Sequence, residues 1–193
     1  VGLSLSGHVV WGQVIPMEDP RIYFVSLSAD PGANLGMVIR PPISARAVEC
    51  WLQTAPTLTL DGVVQPSADA VVEFLSRFWL PDESIVYIGK ATRMDRRSRQ
   101  FFRHMLGRRS PHAGGHWIKT LSCLDRLHVY YVECLSPDVP LNKECCALRA
   151  FGSQVSACTR SRLLDPEVVV PYANLRDADG KRKQSSLCHS VLR

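Results

Sequence analysis

The chain has 193 residues, 46% of them hydrophobic, with a net charge of +5 and seven cysteines. This is enough chain and apolar content for one ordinary core, and no apolar run reaches the roughly eighteen residues a membrane-spanning helix needs. The cysteines are odd in number and form no C-x-x-C pair, which argues against a zinc ribbon or a disulfide framework and for reduced thiols in a cytoplasmic protein. The first residues carry no secretory pattern. Charge is unevenly placed: residues 1–83 hold four basic and nine acidic side chains, residues 84–126 ten and two. A block so poor in acids reads as a face that meets a polyanion.

Residues 8–15 read as a short strand, and Pro16 and Pro20 bracket a turn. Residues 21–28, R-I-Y-F-V-S-L-S, form a convincing strand. The acidic segment 30–83 reads as a helical insertion. Ser44 caps one helix with Val48, Trp51 and Leu52 at helical spacing. Ser67 caps a second over 68–79, with Val71, Phe74, Leu75 and Phe78 as its apolar stripe and Pro81 as its stop. Two such helices most simply pack on the core; the functional alternative is a module that meets a partner or discriminates DNA.

A short strand over 85–88 follows, which Gly89 is expected to end, and then a basic helix with Arg93, Arg96, Arg97, Arg99 and Arg103. A position without a side chain admits a close backbone or a phosphate. Tyr87 thus stands at the root of an arginine-rich helix, a fitting place for a phosphodiester. Residues 106–117 read as a basic loop bearing Arg108, Arg109, His112 and His116; with Lys90, His104 and Lys119 these are candidate DNA contacts. The H-x-x-x-H spacing of His112 and His116 would bridge a metal only on a helix, which Gly114 and Gly115 oppose. Residues 127–134 read as a strand, and 141–151 as a helix with Leu141, Cys145, Leu148 and Phe151 on one face and Glu144 beside it. K-R-K at 181–183 reads as a basic arm, and 184–193 as a disordered tail.

Tyr87-Ile88-Gly89, continued by Lys90 and Ala91, resembles the YIG half of the GIY-YIG nuclease signature. Arg97 lies ten positions after Tyr87, where that superfamily has an arginine on the following helix. Arg21-Ile22-Tyr23 matches the GIY half at two positions of three, with Arg21 in place of the glycine. The two halves usually sit on neighbouring strands joined by a short connection; here their tyrosines are 64 positions apart. Glu144 resembles, by order and context, the metal-binding glutamate of the superfamily, and Asn174 its later asparagine.

The resemblance implies an α+β fold: a small antiparallel three-stranded sheet flanked by helices, a single domain over 1–193 interrupted by the helical insertion. It also implies a metal-dependent DNA endonuclease. Tyr23, Tyr87, Arg97, Glu144 and Asn174 would be catalytic, with Glu144 holding one Mg²⁺ or Mn²⁺ and duplex DNA as the expected partner. The residues are chemically suited to this. A carboxylate can anchor a hard cation, a guanidinium can clamp charge on phosphoryl oxygens, and a phenol can position water. Two alternatives stand beside it: a DNA- or RNA-binding protein that keeps the fold without cleavage, and an interaction protein working through the acidic insertion.

Overall fold

A computed structural model of the chain describes residues 4–30, 32, 38–108, 116–134 and 139–189. Among them lie, in order, β1 (Gly7–Val10), β2 (Arg21–Ser26), α1 (Ala45–Thr54), β3 (Leu58–Leu60), β4 (Val63–Val64), α2 (Ala68–Ser76), β5 (Ile85–Ala91), α3 (Met94–Arg103), β6 (His128–Glu133), α4 (Val139–Gln154), α5 (Ala157–Arg162) and β7 (Leu187–His189). The fold is α+β with antiparallel sheets. No helix among the described residues is long and apolar enough to cross a membrane.

The main sheet has four strands in the order β1-β6-β2-β5, where three were expected. The extra strand is β1, which pairs through Gly7–Val10 with Tyr131–His128. Strand β2 lies inside the sheet with both faces covered, which is why its sequence is almost continuously apolar rather than alternating. It pairs with β5 across the long insertion, with Tyr23 opposite Gly89 and Val25 opposite Tyr87. Such a distant pairing is tolerable because loop-closure entropy grows only logarithmically with length. Strand β5 does not end at Gly89 but runs to Ala91, and α3 begins only at Met94, with Arg93 as its N-cap.

Two helical layers cover the sheet. On one face Tyr23, Val25, Val129 and Tyr131 share a core with Trp51, Val71, Phe74, Met94 and Phe101. On the other, Ile88 and Phe24 meet Ala147, Leu148 and Phe151 of α4 and the segment 168–170. Gly152 lets α4 approach that segment closely: a Cβ there would sit 2.7 Å from the Val169 carbonyl oxygen. Burying Leu148 or Phe151 contributes roughly 1.5–3 kcal/mol each. Leu141 departs from the expected stripe and is 52% exposed.

The insertion is not purely helical. Ser44 and Ser67 cap α1 and α2 as expected, accepting from Ala47 N at 3.1 Å and Ala70 N at 3.2 Å. Between the helices β3 and β4 form a hairpin whose two-residue loop, Asp61-Gly62, has φ of 50° and 81°. This is the backbone that tight hairpins require and that Asp-Gly supplies. Strand β7 then pairs with β3, so residues 184–189 are not a disordered tail; Leu187 is buried in the same core as the insertion helices. The packing role of the insertion is thereby accounted for.

Candidate active site

Gly89 is the floor on which the site is built. A Cβ there would lie 2.6 Å from a ring carbon of Tyr87 and 2.7–2.8 Å from the Cζ and hydroxyl of Tyr23. Both phenol rings therefore cross the backbone at this one position, with centroids 5.9 Å apart. Alternation along β5 puts Tyr87 on the same face as Gly89, and the antiparallel register puts Tyr23 directly opposite. Phe101 of α3 packs behind both rings, at 6.0 and 5.5 Å. Any side chain at Gly89 would displace one phenol or the other.

The two tyrosines differ in access. Tyr23 is 1% exposed, and its hydroxyl has no hydrogen-bond partner among the described residues. Tyr87 keeps part of its surface open and lines a groove. The hydroxyls form no hydrogen bond of ordinary geometry, yet each lies close enough to influence the other's titration. Burial, and then the Tyr87 phenol, hold Tyr23 well above the usual tyrosine range, with Arg97 opposing. Burial also raises Tyr87, and Arg97 again pulls it down while Glu144 pushes it up. Both phenols are therefore neutral at physiological pH in the free protein, and the charges of Arg97 and Glu144 reach both.

Helix α3 sorts its arginines into two stripes. Arg93, Arg96, Arg97 and Gln100, at helical spacing, line a groove of about 700 Å³ together with Lys90, Leu141 and Asn142. Met94, Ser98 and Phe101 form the buried stripe that holds the helix to the sheet. Arg99 and Arg103 are exposed but lie outside the groove, and Arg99 stands 4.0 Å from Asp95. Arg93 is shared between Glu18 at 2.9 Å and Asp95 at 3.4 Å.

The groove continues past Lys90 and Leu141 into a second hollow of about 550 Å³, lined by Tyr87, Glu144, Asn174, Arg176 and Arg182. At the junction Lys90 Nζ lies 2.9 Å from Glu144 Oε2, whose side chain is 18% exposed. Asn174, in the same lining, is bonded to the strand that carries Tyr87. Ile88 N donates to its Oδ1 at 2.9 Å and its Nδ2 donates to Ile88 O at 2.8 Å. β5 is the edge of the sheet, and this amide closes its open backbone where another strand would otherwise pair. Asn174 thus positions the strand that carries Tyr87.

Several expected DNA contacts are interior groups. His104 is buried, its Nε2 2.7 Å from that of His116 with the rings stacked at 4.8 Å. Lys119 donates to Phe102 O at 2.8 Å and lies over the Trp11 ring, and burial lowers its pKa to about 8. The K-R-K arm is broken up as well. Lys181 pairs with Glu167, and Lys183 is buried and donates to the carbonyls of Pro171 and Tyr172 at 3.0 Å each. Arg108 is exposed; Arg109 and His112 lie outside the described residues. Arg21 is buried over Tyr131, 3.6 Å from both Asp19 and Glu133. Of the K-R-K arm only Arg182 opens into the hollow, joined there by Arg176, which sequence reasoning missed although its positive charge in an otherwise mixed segment was visible.

No group of three or more metal-ligating side chains occurs among the described residues. Glu144 alone nevertheless suits a hard cation that keeps several waters and shares phosphate oxygens. Its carboxylate lines the groove and already faces a positive charge, the Lys90 ammonium. Compared with models of known protein families, with curated proteins and with solved structures, the chain matches none.

Proposed function

We propose that this chain is a metal-dependent DNA endonuclease with a GIY-YIG-type site, in which β5, β2 and β6 correspond to the three-stranded sheet of that superfamily. The observation that carries the reading is the meeting of Tyr23 and Tyr87 over Gly89, within reach of the charges of Arg97 and Glu144. A small residue at the crossing, two phenols, one guanidinium and one carboxylate are what phosphodiester hydrolysis at such a site requires.

The roles divide by access. Tyr87 opens into the groove and orients the attacking water; the Arg97 charge favours its phenolate. Tyr23, buried behind it, fixes the ring of Tyr87. Arg97 stabilises charge developing on the phosphoryl oxygens, and Lys90 adds a second positive charge at the junction of the two hollows. Glu144 would hold the divalent cation. When bound, such a cation polarises a phosphoryl oxygen and lowers the pKa of water. Asn174 keeps β5 in place throughout.

The decisive experiment is incubation of supercoiled plasmid with Mg²⁺, Mn²⁺ or EDTA. Metal-dependent nicking is expected, and Glu144→Ala should reduce it by several orders of magnitude while the fold persists. Unchanged nicking by Glu144→Ala would sink the assignment. A second reading, DNA binding without cleavage, draws on the burial that raises both phenols and on the Lys90–Glu144 ion pair. Tight binding with no metal-dependent product selects it.

A further inference from the structure

The segment after Asn174 folds into a small hairpin. Lys183 N donates to Leu175 O at 3.0 Å and Asp177 N to Lys181 O at 2.9 Å. Arg176 and Arg182 are cross-strand partners in an antiparallel bridge. Like charges directly opposite one another destabilise a strand pair; Arg176 Nη1 donates to the Gly180 carbonyl at 3.2 Å, which leaves the positive charge of both guanidiniums without a neutralising anion. Nearby acids do not supply it. Asp179 pairs with Arg149, Glu167 with Lys181, and Asp177 Oδ1 accepts from the backbone N–H groups of Asp179 and Lys181. The base of the hairpin is fixed by buried Lys183 and by Asp165 Oδ2, which accepts from Gln184 N at 2.7 Å. Both arginines are exposed and line the hollow that also contains Tyr87 and Glu144.

We infer that Arg176 and Arg182 form a phosphate clamp that holds the DNA backbone on the far side of the cleavage site from Arg93, Arg96 and Arg97. The inference rests on the nuclease reading and deepens it. A strand crosses the whole groove, from α3 past Tyr87 and Glu144 to the hairpin, and is gripped by its phosphates on both sides of the bond to be cut. Guanidiniums suit this task because their forked donors match phosphate oxygens in pairs.

The test is binding of a short labelled duplex, followed by fluorescence anisotropy in EDTA over a range of salt concentrations, so that no cleavage occurs. Arg176→Ala/Arg182→Ala should weaken binding about tenfold at low salt and flatten the salt slope by about 0.9 for each phosphate no longer neutralised. Arg182→Glu should weaken binding further and yet raise the melting temperature, because it replaces repulsion across the bridge with attraction. Unchanged affinity and slope in the alanine variant would overturn the clamp. So would loss of binding that follows a fall in melting temperature in both variants, since the arginines would then act only through the fold. Arg93→Ala/Arg96→Ala, measured in parallel, separates the two claims. If it weakens binding while the hairpin variant does not, the strand does not reach the hairpin and the nuclease reading stands. If neither weakens binding, the nuclease reading falls too.

Discussion

Two neighbouring stretches of the basic block meet opposite fates. On α3, Arg93, Arg96 and Arg97 turn outward into a groove while Met94, Ser98 and Phe101 turn inward. In the stretch that follows, His104 is buried, His116 stacks against it, and Lys119 packs on Trp11. The difference is one of periodicity. A helix separates its charged and apolar stripes, so its guanidiniums reach water and ligand. His104, His116 and Lys119 lie outside such a helix and pack among rings, with Lys119 donating to the Phe102 carbonyl, while Arg108 in the same stretch stays exposed. Positive charge in a sequence marks a binding face only where regular structure aims it outward.

The largest effect expected among the basic residues separates these fates directly. Arg97→Ala should reduce turnover at saturating DNA by about a hundredfold to a thousandfold, the scale of losing one preorganised donor to a developing oxyanion. Lys119→Met should leave both turnover and DNA affinity unchanged. A loss of affinity in Lys119→Met would return that lysine to the binding face.

The tyrosine pair gives the next contrast. Tyr87→Phe should reduce the cleavage rate by about a hundredfold, as when a positioned proton-transfer group is lost. Tyr23→Phe should cost less than about tenfold, and stability should hold or rise by about 1 kcal/mol because a buried hydroxyl without a partner is removed. Single-turnover rates and urea melts on both variants would settle it; a larger loss for Tyr23→Phe reverses the assigned roles.

Smaller still is the difference within α3. Arg96→Ala should weaken binding severalfold and flatten its salt slope by about 0.9. Arg103→Ala, off the groove, should do neither. Equal effects would extend the binding face around the helix.

The smallest effect concerns the buried lysine beneath the hairpin. Burial lowers Lys183 to about 7, with Asp165 opposing. Between that value and the ordinary lysine range the unfolded chain binds a proton that the folded chain does not, so this group makes stability rise with pH above about 7. Below about 7 both states are protonated and the folded state carries a buried charge. Melting temperatures of the native chain and Lys183→Met from pH 6 to pH 10 should show the native chain gaining relative to the variant as pH rises. A constant difference across that range would mean that Lys183 does not change protonation.

Where short-range chemistry decides, the sequence was legible. Ser44 and Ser67 announced the helix starts, and the strand beginning at Ile85 and the arginine-rich helix after it were visible in the residues alone. So was the one signal left unread, Asp61-Gly62 between T-L-T-L and V-V, which makes the β3–β4 hairpin. Glycine at 89 read as a strand end, yet the strand continues, because the residue is needed for what crosses above it and not for a turn.

Element types, caps and the identity of the basic helix follow from the residues in a row, since these depend on spacing and local conformational preference. That Tyr23 and Tyr87 share one glycine although they stand 64 positions apart, and that Asn174 closes an exposed strand edge, came from the assembled fold. The same assembly buried His104 and Lys183 and half-buried Lys119, while Arg176 and Arg182 came to face the groove. These outcomes depend on which distant backbones pair and which surfaces are covered. No local pattern encodes that, because a lysine has the same propensities whether its ammonium ends on a carbonyl in the core or on a phosphate in water.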